Sequence, residues 1–181
     1  LITDAVTTAS AGSGTLTFLT TTSAATLAST IGAASAELKA INVHSGNGVA
    51  TLSGNVFATT IVADAEDNDT VKFSGTVNAT TLNLDGIGLF TLDGNVTAAV
   101  VTSGTSTTTV GSNKNIIGSV MSDSGADATL TFSNSTENIT LVNGAVGTGT
   151  TTGLAVLNAT SGSGTATFGG NVWATTINAT A

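Results

Sequence analysis

Residues 49–63 read VATLSGNVFATTIVA, and the chain returns to this phrase three times, as TVKFSGTVNATTLNL at 70–84, LFTLDGNVTAAVVTS at 89–103 and TATFGGNVWATTINA at 165–179. Before each glycine, apolar and polar residues alternate. Ala50 and Leu52 are set against Thr51 and Ser53, Val71 and Phe73 against Lys72 and Ser74, Phe90 and Leu92 against Thr91 and Asp93. Period two is the pattern of a strand with one buried face. After the glycine comes a second run, Val56-x-Ala58, Val77-x-Ala79, Val96-x-Ala98 and Val172-x-Ala174. The next apolar residues, Ile61, Leu82, Val100 and Ile177, break that alternation, and a corner at the Thr-Thr pair accounts for the slip. Gly54, Gly75 and Gly94 are 21 and 19 residues apart, with Gly170 four further short periods on. Self-similarity at this spacing is the mark of a solenoid. The expected fold is therefore all-β, a parallel β-solenoid with rungs of about 19–21 residues whose stacked Val, Ile, Leu and Ala form a core no single rung could bury. The drift in rung length favours a right-handed β-helix over the left-handed kind built on a strict hexapeptide.

A longer period encloses the short one. LKAINVHSGNGVATLSGNVFATTI from Leu38 returns without a gap as LAVLNATSGSGTATFGGNVWATTI from Leu154, 116 residues on. ITDAVTTASAGSGTLTF from Ile2 is echoed by IIGSVMSDSGADATLTF from Ile116. The chain thus reads as one domain over 1–181, a long repeat at 1–114 and a partial second copy at 115–181. It starts and stops in mid-pattern without a polar cap, which a solenoid normally needs to stay soluble, so either a longer protein or neighbouring copies are expected to cover the ends. The one helical candidate, LASTIGAASAELKAI at 27–41, is weakened by Gly32 and by its few charges.

Composition narrows the function classes. Only 8% of residues are charged, and the net charge of −8 comes with three Lys and no Arg. That removes the electrostatic term on which phosphate-backbone binding depends, so no nucleic-acid partner is expected. No run of about 18 apolar residues is present to cross a bilayer as a helix, so no membrane insertion is expected, and no basic segment followed by an apolar one opens the chain, so any secretion signal is expected to have been removed or to lie elsewhere in a longer chain. Cysteine is absent, which excludes disulfides and thiolate metal sites, and proline is absent too, as continuous strand stacking requires. The seven N-x-[ST] sequons are close to the roughly five that this Asn-, Ser- and Thr-rich composition produces by chance, so they carry no case for glycosylation.

Three features are candidate sites. In ADAEDND, Asp64, Glu66, Asp67 and Asp69 place four carboxylates on one turn, oxygen ligands of the kind Ca²⁺ prefers, although the spacing is that of neither the EF-hand nor the nonapeptide calcium repeat. The plain alternative is a solvated acidic loop. Phe57 and Trp173 fill one slot of the long repeat, and the alternation turns that slot outward, where an aromatic can stack on a sugar ring, anchor a lateral contact, or be covered by a loop. His44, the only histidine, precedes an SGNG turn and reads as a surface residue, since no GxSxG elbow or other nucleophile accompanies it. The Thr pairs beginning at Thr59, Thr80 and Thr175 raise a further reading, an outward ladder that orders water, interrupted by Ala98-Ala99.

The succession of TLTF, an IG or NG turn, LxAINV or LAVLNA, and GxATLSGNVFATTI resembles the repeat-rich passenger regions of bacterial autotransporter-type surface proteins, such as the outer-membrane antigens of rickettsiae and marine alphaproteobacteria. Nearly the whole chain takes part. The resemblance implies an exported β-helical passenger, extracellular or on the bacterial cell surface, serving as a layer, filament or adhesin. From these signals the expected function is structural or adhesive rather than enzymatic, with self-association as the main partnership and a glycan or host-surface receptor as a further one. The alternatives are a carbohydrate-active, tailspike-like β-helix that uses the acidic turn, and an ice-binding threonine ladder.

Overall fold

The structure, a computed structural model, describes residues 4–21, 23–46, 48–123, 127–149 and 151–180. Ile2 of the long-repeat echo and Asn47 of the SGNG turn lie outside them. All regular structure among the described residues is strand, and every strand pair is parallel. The 27–41 segment contains no helix: it leaves one strand at Leu27, bridges Val6 and Val56 at Ile31, turns at Gly32 with φ of 71° and enters the next strand at Leu38.

The strands come mostly in pairs, one pair per turn of the solenoid. They run β1 (Ser13–Thr20), β2 (Ala25–Leu27), β3 (Leu38–Ser45), β4 (Val49–Leu52), β5 (Val56–Ala65), β6 (Thr70–Phe73), β7 (Val77–Gly86), β8 (Leu89–Leu92), β9 (Val96–Thr102) and β10 (Thr107–Val110). After these come β11 (Ile116–Ile117), β12 (Val120–Ser122), β13 (Thr129–Ser135), β14 (Ile139–Val142), β15 (Leu154–Ser161), β16 (Ala166–Phe168) and β17 (Ala174–Thr180). A nine-stranded sheet takes the order β1-β3-β5-β7-β9-β11-β14-β16, with β12 also on β9, and an eight-stranded sheet runs from β2 through β4, β6, β8, β10, β13 and β15 to β17. This is a β-solenoid of about eight turns.

Register turns the alternation into columns. Val6, Ile31, Val56, Val77, Val96, Ile116, Val142 and Phe168 stack in one line through the nine-stranded sheet. Across the core, Leu27, Leu52, Phe73, Leu92, Val110, Phe132, Ala159 and Ala179 stack in the eight-stranded sheet. The residues that the alternation turned inward, Ala50, Leu52, Val71, Phe73, Phe90 and Leu92, are all fully buried. Burying each large member stabilises the fold by roughly 1.5–3 kcal/mol, and only stacking removes both of its flanks from water. β5 and β7 do not break at the Thr-Thr pair as expected. Each runs on through it, with Ala58 and Ile61 both inward and two residues between them, so the slip in phase is a bend inside one strand. Turns of 20 (Leu38 to Ala58), 21 (Val56 to Val77) and 19 (Val77 to Val96) residues occupy the middle. Longer ones of 25 (Ser13 to Leu38), 26 (Ile116 to Val142) and 27 (Leu130 to Leu157) residues flank them.

These longer turns have a consequence for the long repeat, which is not a whole number of turns. β3 belongs to the nine-stranded sheet, whereas its sequence counterpart β15 belongs to the eight-stranded one. Gly170 accordingly does not join the Gly54, Gly75 and Gly94 corner stack. It stacks on Gly144, which stacks on Gly118, at a different place in the cross-section.

Polar side chains enter the interior at several turns, and among the described residues two of their hydroxyls lack a partner. Thr102, Ser106 and Thr108 are fully buried at the fifth turn, and neither the Ser106 nor the Thr108 hydroxyl has a protein partner. Thr108 lies between Phe90 and Leu130 in an otherwise apolar column. Thr108→Val keeps the shape and removes an unpaired buried hydroxyl, so it is expected to stabilise the chain by about 1 kcal/mol, read as a rise in denaturation midpoint.

Candidate functional site

The acidic turn is taken apart by the fold. Asp69 points inward, buried, and its Oδ1 accepts the backbone N–H of Gly48 at 2.6 Å, so this carboxylate ties one turn to the previous one. Asp64 Oδ2 lies 3.0 Å from His44 Nδ1 on the preceding turn, and the other ring nitrogen of His44 is 3.7 Å from Glu66 Oε1. Glu66 and Asp67 remain exposed. Among the described residues no three His, Cys, Asp or Glu side chains come together as a metal ion would require. His44 is therefore not an isolated turn residue. It follows Leu19 in an outward column, and the 20-residue register from His44 to Asp64 would have revealed the pairing in the sequence.

That column continues as Asp64, Asp85 and Ser103, with the Ser103 hydroxyl donating to Asp85 Oδ1 at 3.1 Å. Burial raises the Asp85 carboxyl above the usual aspartate range, the Ser103 hydrogen bond opposes this, and the charges of Asp123 and Asp64 add to the rise. A carboxyl raised in the folded state holds its proton more tightly there than in the unfolded chain. Stability consequently falls as pH climbs from the unfolded value through the folded one. Asp85→Asn keeps the oxygen that accepts from Ser103 and removes the charge. It is expected to raise the melting temperature at about pH 7, with no gain at about pH 3, where the carboxylate is already protonated in both states.

The aromatic slot is built twice, and the same way each time. In the first copy, Phe57 N–H donates to Ile31 O at 2.8 Å and Gly32 N–H to Val6 O at 2.7 Å. In the second, Trp173 N–H donates to Val146 O at 2.7 Å and Gly147 N–H to Val120 O at 2.7 Å. Gly32 and Gly147 both have φ of 71°; a β-carbon on Gly32 would collide with the Phe57 carbonyl, and one on Gly147 would collide with Gly153 Cα and crowd the Trp173 carbonyl. Each glycine opens a loop whose described residues, Ala34 and Glu37 in the first copy and Gly149 and Gly153 in the second, line a groove beside the ring. Phe57 is half-buried and Trp173 is 37% exposed.

Each ring borders a groove. Phe57 lies with Ala34, Glu37, Thr59, Asn78, Thr80 and Thr97 around about 310 Å³. Trp173 lies with Gly149, Gly153, Leu154, Val172 and Thr175 around about 220 Å³. Because the second copy is displaced around the cross-section, the grooves sit differently: Phe57 is within the nine-stranded sheet, while Trp173 stands at the entry to the eight-stranded one. The Thr pairs part in the same way. Thr60 stacks on Thr81, which meets Ala99, while Thr175 lies on the other sheet. A longer outward line on the eight-stranded sheet holds Thr26, Thr51, Thr91, Thr109 and Thr131, with Lys72 interposed and bonded to Asp93 at 2.7 Å, and with Asn158 and Asn178 continuing it. Sequence reading missed this ladder because its members sit before the glycine, in the phase already assigned to the strand.

Set against known proteins, the chain matches no family model, no curated protein and no solved structure.

Proposed function

We propose that this chain is an exported structural and adhesive element of a bacterial surface, a rod whose copies associate end to end or laterally into a filament, sheath or layer. The observation that supports this best is the uniform strand sense. β1 and β2 edge one end of the stack and β16 and β17 the other, all parallel. A further turn, from a neighbouring copy or from more of the same polypeptide, continues both sheets without reversing direction. Unpaired edges of this sort template further pairing, and a head-to-tail contact that does not close generates an open filament. Side chains already anticipate it: Asn158 Nδ2 donates to Thr131 Oγ1 at 3.0 Å and Asn178 Nδ2 to Asn158 Oδ1 at 2.8 Å, a ladder that one more turn would extend. Export and surface display rest on the resemblance to autotransporter-type passengers. Electron microscopy with light scattering tests the proposal, and rods longer than one chain with an axial spacing of about 4.8 Å are expected. A strictly monomeric species at high concentration overturns it.

The aligned threonines of the eight-stranded sheet favour a second reading, an ice-binding face. Thermal hysteresis is its direct test, and freezing with none removes it.

A further inference from the structure

We infer that the Phe57 groove and its counterpart at Trp173 are subsites for neutral, hydroxyl-rich sugar rings, which makes one chain a divalent glycan binder. The inference rests on the adhesive half of the function proposed above and gives it a ligand class. It begins from recurrence. The same two backbone bonds, the same left-handed glycine and the same kind of loop are built around an aromatic ring in both copies of the long repeat, although the two copies assign their strands to different sheets. A residue needed only to fill space in one sheet would have no reason to keep its surroundings when that sheet changes.

The lining selects the ligand. A partly open aromatic ring offers a flat apolar face, suited to the C–H face of a pyranose. Around Phe57 stand Thr59, Thr80, Thr97 and Asn78, neutral groups that both donate and accept hydrogen bonds, as sugar hydroxyls do. Glu37 carries the one charge in that lining and accepts strongly from a hydroxyl, whereas it would repel a phosphate or a uronate. Among the described residues, no charged one lines the Trp173 groove. The Phe57 groove is at the lower end of the size of ligand clefts, appropriate for a ring or two of a longer glycan rather than for a folded partner. Phe57, Asn78 and Thr97 follow one another on three successive turns, so that groove runs along the solenoid axis and a chain of sugars can lie in it. Two grooves facing differently let one rod bridge two glycan strands, where weak single contacts gain by linkage.

Trp173 is the only tryptophan and so reports on its own groove. The intact 181-residue chain is titrated with cellobiose, maltose, lactose and N,N′-diacetylchitobiose, with digalacturonate as the acidic comparison. At least one neutral disaccharide is expected to shift Trp173 emission saturably, with a Kd on the order of 1 mM. In a Trp173→Phe, Phe57→Trp variant the reporter moves to the first groove and should respond to the same sugar, and adding Glu37→Ala should weaken that response roughly tenfold. Phe57→Leu with Trp173→Leu keeps apolar bulk, and melting within about 2 °C of the parent shows that the fold is kept. Binding of that variant is then read by calorimetry and should be lost. No response from either reporter to any neutral disaccharide, or a response to digalacturonate alone, overturns the inference. So does a leucine double variant that stops assembling in a chain that binds no sugar, since the grooves would then be contacts between copies. Assembly without sugar binding sinks this inference alone, and sugar binding by a monomer sinks the assembly reading alone.

Discussion

Gly94→Ala is expected to cost about 3 kcal/mol or more. Gly54, Gly75 and Gly94 occupy one corner on successive turns, and a β-carbon on any of them would be driven into the carbonyl of the residue one turn earlier: Ser29 for Gly54, Gly54 for Gly75 and Gly75 for Gly94. None of the three has a positive φ, so the demand is for space rather than for a left-handed backbone. The colliding atoms are main chain, which cannot rotate aside as a long side chain could. Relief requires the turns to separate at that corner, and separation breaks parallel pairing on both sides, where Val77 N–H donates to Asn95 O at 3.0 Å and Asp93 N–H to Phe73 O at 2.8 Å. Corner asparagines hold the same spacing, with Asn55 Oδ1 accepting from Thr76 N–H at 3.0 Å and Asn95 Oδ1 from Asn115 N–H at 3.3 Å. Gly149→Ala is the control. Nothing lies within 4 Å of its added carbon, and the change is expected to leave stability within about 0.5 kcal/mol. Urea midpoints of the two variants beside the parent decide it: equal midpoints would mean that the corner is looser than its stacking indicates.

The glycine spacing and the alternation around it were sufficient to read the architecture, because both are set by contacts one turn away that every turn repeats. Ala50, Leu52, Val71 and Phe73 could be turned inward from their own pattern alone. The displacement of the second copy was not legible, since it follows from the extra residues in the turns of 25 to 27, and loop length does not announce how far around the cross-section it carries the chain. Hence Phe57 and Trp173, one slot of the long repeat in sequence, part to different places on the rod, and that separation came only from the strand order. The acidic turn shows a related limit. In sequence Asp69 is one of four neighbouring acids, but a 21-residue register sets it against Gly48, and its function is to accept a backbone N–H. Charge is visible along the chain, whereas the partner of a charge lies one turn away.

Ile61 and Ile177 occupy the same slot of the long repeat, and replacing each by Ala should separate what the slot is from where it stands. Ile61 is fully buried in the nine-stranded sheet, with Ile41 before it and Leu82 after it in the column. Its truncation removes buried methyl groups and leaves a cavity between rigid neighbours, so a loss of about 3 kcal/mol is expected. Ile177 continues a different column, stacked on Leu157 of the eight-stranded sheet, and is 53% exposed, with no strand among the described residues paired on its other side. Ile177→Ala should therefore cost the monomer less than about 0.5 kcal/mol. The same exposure assigns Ile177 a second role if copies add to the β17 edge, since the added turn would bury it as Leu82 buries Ile61. The expected pattern is a stability loss without loss of assembly competence for Ile61→Ala below its melting point, and the reverse for Ile177→Ala: an unchanged urea midpoint in dilute solution with a raised critical concentration for filaments. Equal stability losses in the two variants would show that the last turn is already covered in solution. An unchanged critical concentration in Ile177→Ala would place the contact between copies on the sides of the rod rather than at this edge.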